Sequence, residues 1–404
     1  MKNKHITIIN QYIGSPYHGM EYRHYYLAKN LIEYGYKVTL ISGSYSHLFS
    51  SPPEMTQSFT REMIDGIEYI WVKVPKYISS KSIGRIWNML YFTWKLHFLK
   101  DVVPSHIIVS SPSLFPVKVG AKFAKKFHTK FLFEVRDIWP QTLVELSSLS
   151  SSHPLIKFME HYERFAYKKA DKVISLLPMA KEHFEKQGMQ KDKFVYLPNG
   201  IDTEEIKSVF LPQSIIEKIP RDKFIVAYSG TVGIANNLEY LVDAANALRD
   251  NKDIHFIILG QGGEKQRLQD LVNHLGLENI TFLDPIKKEA VASFLKQIDV
   301  AFISLLPENL FRFGVSPNKV FEYMYAKKPI LWAIEAGNNL VKEAECGVSV
   351  PLNDVIALKE SILRLKEFGE DTLNELGQNG YNFVNIHHSY KMLAEKLINV
   401  IEEY

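Results

Sequence analysis

The sequence predicts an α/β protein made of two doubly wound parallel-sheet domains in tandem. Short runs rich in β-branched and aromatic residues alternate with amphipathic segments of helical length, the pattern of βαβ units. That alternation stops in a charged, proline-bearing stretch between Asp202 and Arg221 and then begins again. The 404 residues, 46% hydrophobic and 23% charged, are enough to bury two cores. The boundary is placed at 205/206, with one domain over 1–205 and a second over 206–384. The last segment, 385–404, with a helix near Ser389–Glu403, is expected to pack back on the first domain.

In the first domain the opening strand runs from His5 to Asn10 and leads through a glycine-bearing loop into a helix that ends near Gly35. Further strands are expected at Lys37–Ser42, His106–Ser110, Lys130–Val135, Lys172–Leu176 and Phe194–Leu197, with helices between most of them. The second domain has expected strands at Phe224–Ser229, His255–Leu259, Ile280–Leu283, Val300–Leu305, Ile330–Ala333 and Val348–Val350. Helices at Leu238–Arg249, Glu264–His274 and Lys287–Gln297 separate several of these. In open parallel sheets ligands bind beyond the carboxyl ends of the strands, so two Rossmann-like domains of this kind are expected to face each other across a deep cleft.

The formal net charge of +3 conceals an asymmetry. Residues 1–200 carry 27 Lys and Arg against 16 Asp and Glu, a net +11, whereas residues 201–404 carry 21 against 29, a net −8. A basic first half suits an anionic membrane, a phosphorylated acceptor or a nucleic acid, and solvated lysines that merely keep the chain soluble would give the same count. No run reaches about 18 uninterrupted apolar residues. The apolar stretch Ile6–Ile9 stops at Asn10, too short for the core of a signal peptide, so a soluble cytoplasmic protein is expected. Cys346 is the single cysteine, which rules out a disulfide within the chain and a cysteine-based metal cluster. The histidines are scattered apart from His387 and His388, and no Asp-x-Asp stands at a strand end near the candidate site, so no bound metal is expected.

Each domain opens with a strand, a glycine loop and a helix. In the first, Gly14-Ser15-Pro16-Tyr17-His18-Gly19-Met20-Glu21 follows the opening strand; in the second, Ser229-Gly230-Thr231-Val232-Gly233 does. Glycine permits close backbone approach and the next helix offers free N–H groups, so both loops could hold phosphate, although neither fits the full dinucleotide pattern and a plain turn needs the same residues. A further cluster, Gly260-Gln261-Gly262-Gly263, would bring backbone near a nucleotide or simply make a tight turn. The most informative constellation is Ser316-Pro317-Asn318-Lys319-Val320-Phe321-Glu322. Lys319 and Glu322 are three apart and project from one helical face, where a lysine can neutralise a diphosphate and a carboxylate can accept from ribose hydroxyls. A surface ion pair would show the same spacing.

Taken together these motifs resemble a known family. The succession Tyr-Ser-Gly-Thr-Val-Gly at 228–233, Ile-Leu-Gly-Gln-Gly at 258–262, Phe-Leu-Asp-Pro-Ile at 282–286 and Ser-Pro-Asn-Lys-Val-Phe-Glu-Tyr-Met-Tyr-Ala-Lys-Lys-Pro at 316–329 is similar to family 4-type retaining glycosyltransferases of the GT-B fold. His-Gly-Met-Glu at 18–21, Glu-Val-Arg-Asp-Ile-Trp-Pro at 134–140 and Pro-Asn-Gly-Ile-Asp at 198–202 resemble a subgroup that builds bacterial O-antigens and capsules, including N-acetyl-L-fucosaminyl transferases. The resemblance implies that Lys319 contacts the donor diphosphate and Glu322 the ribose. The amides around Gly230, Thr231 and Gly233 would cradle phosphate, and the base would sit near Leu283 to Ile286. Gly19, Ser229, Gly260, Gly262, Ser316 and Asn318 complete the implied nucleotide-sugar site. The family's second glutamate falls at Gly314 here, and the basic residues often found after the second glycine loop are replaced by Ile234, Ala235 and Asn236, leaving Arg312 as a further cation for the diphosphate.

Arg136 and Asp137 end a strand of the first domain on the expected ligand side. Asp137 orients an acceptor hydroxyl or caps the following turn, with Glu21 and His18 as alternative catalytic groups. In the retaining mechanism that the resemblance implies, the departing diphosphate can itself take the acceptor proton. The segment Lys76–Lys100 combines Lys76, Lys81, Arg85, Lys95 and Lys100 with Trp87, Tyr91, Trp94 and Phe98, which suits an anionic bilayer surface as well as a helix packed on its own domain. The expected activity is transfer of a sugar, such as N-acetyl-L-fucosamine, from a UDP-sugar to a lipid-linked saccharide at the inner face of the cytoplasmic membrane, with no nucleic-acid partner. A nucleotide-sugar 2-epimerase of the same architecture, or a binding protein that has lost activity, are the alternatives.

Overall fold

The structure, a computed structural model, describes residues 4–78, 83–146, 149–204 and 209–403. Lys81 therefore lies outside the described residues. The chain forms two compact units, Met1–Asn199 with Tyr390–Tyr404, and Gly200–Ser389. Among the described residues no helix is long and apolar enough to cross a membrane.

Among the described residues the first unit contains eight strands: β1 (His5–Ile9), β2 (Lys37–Gly43), β3 (Phe59–Ile64), β4 (Ile67–Val72), β5 (His106–Ser110), β6 (Lys130–Val135), β7 (Lys172–Ser175) and β8 (Phe194–Tyr196). They lie in the order β3-β4-β2-β1-β5-β6-β7-β8, and every pairing is parallel except β3 with β4. Every residue of β1 is buried, as a central strand covered on both faces requires. On one face Ile6, Ile8 and Leu40 form a core with Leu27 and Leu31 of the helix Arg23–Glu33 and with Leu393, Leu397 and Ile401 of the last helix, Tyr390–Glu402. Tyr390 stacks on Tyr26 there with ring centroids 5.1 Å apart. On the opposite face the helix Val117–Phe127 comes so close that a Cβ on Gly120 would sit 2.4 Å from the Val109 side chain. Phe133 meets Tyr167 of the helix Pro154–Lys169 on that same face at 5.8 Å.

The β3–β4 hairpin is absent from the sequence expectation. Its strands meet at Asp65 and Gly66, whose φ values of 49° and 80° are those of a type I′ turn. The charged, alternating edge strand β3 buries only Ile64, so no apolar run announces it.

The second unit contains β9 (Phe224–Ser229), β10 (Ile254–Leu259), β11 (Ile280–Leu283), β12 (Val300–Ser304), β13 (Ile330–Ala333) and β14 (Gly347–Ser349). All pairings are parallel, in the order β11-β10-β9-β12-β13-β14. The order reverses at β9, and in doubly wound sheets the carboxyl end of such a strand is where ligands are held. Both faces are apolar: Ala227, Ile257, Phe294 and Phe321 fill one side, and Val226, Tyr228, Leu241 and Leu358 the other.

Candidate functional site

The carboxyl end of β9 opens into Gly230–Gly233, and three side chains fix that loop. Ser229 donates its N–H to the Tyr323 hydroxyl at 3.1 Å, and that hydroxyl donates to the Ser229 carbonyl at 3.2 Å, tying the strand end to the helix Asn318–Tyr325. The Tyr228 hydroxyl and Asn236 Nδ2 both donate to the Thr231 carbonyl, at 2.7 and 2.9 Å. With the carbonyl so held, the N–H groups of Thr231 and Gly233 have no partner among the described residues. They are the free donors that an anion requires.

Gly230 has φ +141°, and a Cβ there would come 2.2 Å from Lys319 Cε, so glycine is what allows the lysine to lie along the loop. The second glycine cluster serves the first. A Cβ on Gly260 would lie 1.8 Å from the Gly230 carbonyl oxygen and one on Gly262 2.1 Å from that of Val232. Val232 N donates to the Gln261 carbonyl at 2.9 Å, and Glu264 N to the Val232 carbonyl at 3.1 Å. Gly260 and Gly262 thus act as the backing of the Gly230 loop.

Lys319 Nζ donates to Asn236 Oδ1 at 3.3 Å and lies 5.2 Å from the centre of the Tyr228 ring. Burial lowers its pKa below 10.5, while Glu322 acts in the opposite direction. Burial raises the pKa of Glu322 above 4.5, opposed by Lys288 and Lys319. Among the described residues no carboxylate comes within the 4.0 Å of an ion pair with Lys319, so the surface ion pair that its spacing with Glu322 allowed is not formed. The site holds a half-buried ammonium and a half-buried carboxylate side by side, with open amides in front. Pro317 is extended and no side chain caps the helix that follows, so its first-turn amides add to the positive potential. Ser316 is half-buried and Asn318 exposed on that turn.

Several expected contacts fall differently. Leu283 is fully buried in the core, and its carbonyl accepts from Gly260 N at 3.2 Å and Lys265 Nζ at 3.1 Å. Ile286 packs half-buried on the same core. Arg312 is exposed, with its guanidinium 4.3 Å from the Phe313 ring centre and a hydrogen bond to the Asn309 carbonyl. Gly314 has φ +100° and closes the turn Asn309–Phe313, so a glutamate there would be strained; its absence follows from the local backbone.

In the first unit the expectation that the Gly14–Glu21 loop offers amides to an anion fails at four positions. Gly14 N donates to the Glu21 carbonyl, Ser15 N to that of Gly19, and His18 N and Gly19 N to that of Ser15. Gly19, at φ +84°, serves the turn. His18 is buried between a hydrogen bond to Ser15 Oγ at 2.8 Å and the Trp71 ring at 4.9 Å, which makes it part of the packing. Arg136 and Glu21 form an ion pair, and Arg136 Nε is buried without a partner among the described residues. Asp137 is exposed yet ringed by protein. That desolvation, opposed by Arg136 and reinforced by Glu21, holds its carboxyl above 3.8.

Behind them lies a buried network. Glu134 Oε1 accepts from Arg23 at 3.0–3.1 Å and Oε2 from His24 Nε2 at 2.7 Å. Burial alone would raise the Glu134 pKa, but Arg23 and His24 hold it well below 4.5. Arg23 also donates to the Leu197 carbonyl at 2.8 Å and to that of Pro198.

Residues 17–205 match the family described as Glycosyltransferase Family 4, and residues 212–383 match Glycosyl transferases group 1. The two halves of the chain thus each match a glycosyltransferase family model.

The chain is 24% identical over 204 residues to the putative colanic acid biosynthesis glycosyl transferase WcaI of Escherichia coli (strain K12), covering 48% of this chain and 49% of the relative. It is 24% identical over 233 residues to the alpha-D-kanosaminyltransferase of Streptomyces kanamyceticus, covering 56% and 57%. The chain thus spans about half the length of these curated relatives. The solved structure of Anabaena HepE in complex with UDP-glucose superposes with a TM-score of 0.62 at 15% identity, over 99% of this chain and all of that one. The fold is accordingly GT-B: two parallel-sheet α/β domains. Among the described residues no group of three or more His, Cys, Asp or Glu is placed to hold a metal ion.

Of the residues singled out in the sequence, the structure sets Lys319 against Gly230 in the loop that carries Thr231 and Gly233, with Glu322 three residues on along the same helix. Sequence reasoning missed Tyr323, Asn236 and the Arg23–His24–Glu134 network. Tyr323 sits four residues after Lys319 and was readable as part of the same helix turn; Glu134 lies 111 residues from Arg23, a distance that no local pattern bridges.

Proposed function

We propose that this glycosyltransferase moves a sugar from a nucleotide diphosphate sugar, bound in the second unit, onto a lipid-linked saccharide handled by the first. The observation that carries the reading is Lys319, an ammonium without a carboxylate partner among the described residues, lying against a glycine loop whose Thr231 and Gly233 amides are open among them too. Glycosyl transfer breaks the bond between the sugar's anomeric carbon and a phosphate oxygen, and the negative charge gathers on that oxygen. Lys319, the loop amides and the first turn of the helix Asn318–Tyr325 meet the charge where it grows, which lowers the barrier more than it tightens ground-state binding. Glu322 accepts from the ribose hydroxyls.

A UDP-linked donor is supported by the HepE structure, which is a complex with UDP-glucose. An N-acetylated deoxyhexose such as N-acetyl-L-fucosamine, retention of anomeric configuration and no metal requirement follow from the motif resemblance. Assembly of a bacterial surface polysaccharide such as an O-antigen or capsule is supported by the name of WcaI, which places that relative in colanic acid synthesis. Asp137, Arg136 and Glu21 are assigned to the acceptor, with the departing diphosphate taking its proton. The reaction belongs on the cytoplasmic face of the inner membrane, where a lipid-linked acceptor resides.

The test is thermal-shift screening against nucleotide sugars, followed by mass spectrometry of reactions with isolated lipid-linked precursors. The expected product is a precursor heavier by one sugar, formed only when both substrates are present. A sugar altered in the absence of any acceptor would instead mark a 2-epimerase, and donor binding with no transfer to any precursor a protein that has lost activity.

A further inference from the structure

The helical layer over the Phe131 and Phe133 face of the first sheet has an outer surface of unusual composition. On the helix Ile83–Leu96, Asn88, Phe92 and Leu96 are fully buried, so the helix already packs on its own unit. A second stripe, Trp87, Tyr91 and Trp94 at i, i+4 and i+7, continued by Phe98 in the turn just past the helix, is less covered among the described residues. Trp87, Trp94 and Phe98 keep 60%, 52% and 54% of their surface exposed. Tyr91 and Trp94 touch at 5.4 Å and Trp94 and Phe98 at 5.0 Å, and Lys95 Nζ lies 5.6 and 5.4 Å from the Tyr91 and Trp94 rings. A contiguous exposed aromatic face on a helix that is already anchored needs an occupant.

The charge beside it says which. The steps β4 to β5, β5 to β6 and β6 to β7 run in one direction across the sheet, so right-handed crossovers put their helices on the same face, opposite Arg23–Glu33. The helices Val117–Phe127 and Pro154–Lys169 therefore share a layer with Ile83–Leu96. They expose Lys122, Lys125 and Lys126, then Lys157, Lys168 and Lys169. Of the two acids on Pro154–Lys169, Glu160 is engaged by Lys157 and Arg164, and Glu163 is buried facing His183. Much of the first half's positive excess is thus displayed on the layer that carries the aromatic stripe. A second copy of this chain would be repelled by that charge, whereas aromatic rings set beside lysines match the headgroup zone of an anionic bilayer.

We propose that this layer is the docking face for an anionic lipid bilayer, with Trp87, Trp94 and Phe98 entering the headgroup region and the lysines of the two neighbouring helices meeting the lipid charge. This gives the membrane association in the proposed function its surface, and vesicle binding reads it without turnover. Full-length protein is floated with vesicles of phosphatidylcholine alone or mixed with phosphatidylglycerol, alongside Trp87→Ser/Trp94→Ser and Lys122→Ser/Lys125→Ser/Lys126→Ser variants. Circular dichroism melting checks folding, and a UDP thermal shift checks the donor site. The wild type should float with the phosphatidylglycerol vesicles and be released by salt. The lysine variant should lose roughly a hundredfold in partitioning, from about fivefold per lysine, and the tryptophan variant roughly tenfold, with UDP binding unchanged in both. The proposal is overturned if the wild type stays with the soluble fraction, if it floats equally with phosphatidylcholine alone, or if folded variants partition as the wild type does. A lost UDP shift in wild-type protein that still floats would count against the donor reading alone.

Discussion

Replacing Lys319 with Ala removes a charge from the Gly230 loop without opening a hole in the core. Its ammonium is held by Asn236 and the Tyr228 face and lies beyond ion-pair distance of any carboxylate among the described residues, so the positive charge is available to a diphosphate. Two unit charges about 4 Å apart at an effective dielectric constant of about 20 interact by about 4 kcal/mol. Loss of one pre-organised donor to a developing anion costs roughly a hundred- to a thousandfold in kcat. The two figures agree, and the variant is expected to fall in that range for kcat, with a smaller change in KM. Because burial lowers the pKa of this lysine, losing its charge should not destabilise the fold, and the thermal midpoint should stay within a few degrees. The assay is product formation by mass spectrometry under saturating donor, with calorimetric UDP titration alongside. Turnover within about threefold of wild type would remove Lys319 from leaving-group stabilisation.

Glu322→Gln should raise the KM for donor roughly tenfold or more, since a hydrogen bond to a charged group contributes about 1.5–3 kcal/mol, and kcat should change little. In the wild type, donor affinity should fall on acidification through the raised pKa of Glu322 and kcat should fall as alkali titrates the lowered Lys319; the acid limb should vanish in the Gln variant. Gly230→Ala forces a Cβ to within 2.2 Å of Lys319 Cε at φ +141° and should abolish UDP binding by calorimetry. Gly233→Ala, whose nearest neighbour would be 3.7 Å away, should retain it. Glu134→Gln should cost about 3–5 kcal/mol in urea denaturation by leaving Arg23 buried without its partner. Glu134 has a depressed folded pKa, so its contribution is present above the unfolded value of 4.5 and is lost as pH falls through the folded value. The gap between wild type and variant should therefore close in acid.

The alternation of strands and helices was legible because each central strand is buried on both faces and reads as an apolar run. The β3–β4 hairpin was not, since Phe59–Ile64 is an exposed edge strand whose single clear signal is the Asp65-Gly66 turn. Lys319 and Glu322 were legible because three residues along a helix fix their common face. The loop partners divide by sequence separation: Gly230 and Thr231 follow a strand directly, but the contact of Asn236 with Lys319 spans 83 residues. The bonds that Lys265 and Gly260 make to the Leu283 carbonyl form only in the folded sheet, so no local pattern announces them. Gly314 stands where the family carries its second glutamate, and it adopts a positive φ that glycine takes without strain.

The central claim is that a pyrophosphate is gripped in the second unit by Lys319 and the Gly230 loop. Hydrogen exchange of the full chain with and without UDP tests it most directly. The account predicts slowed exchange at Thr231, Gly233 and the first turn of Asn318–Tyr325, with β1 and the Gly14–Glu21 loop unchanged. Protection confined to the first unit, with the amides of Thr231 and Gly233 exchanging as before, would contradict it.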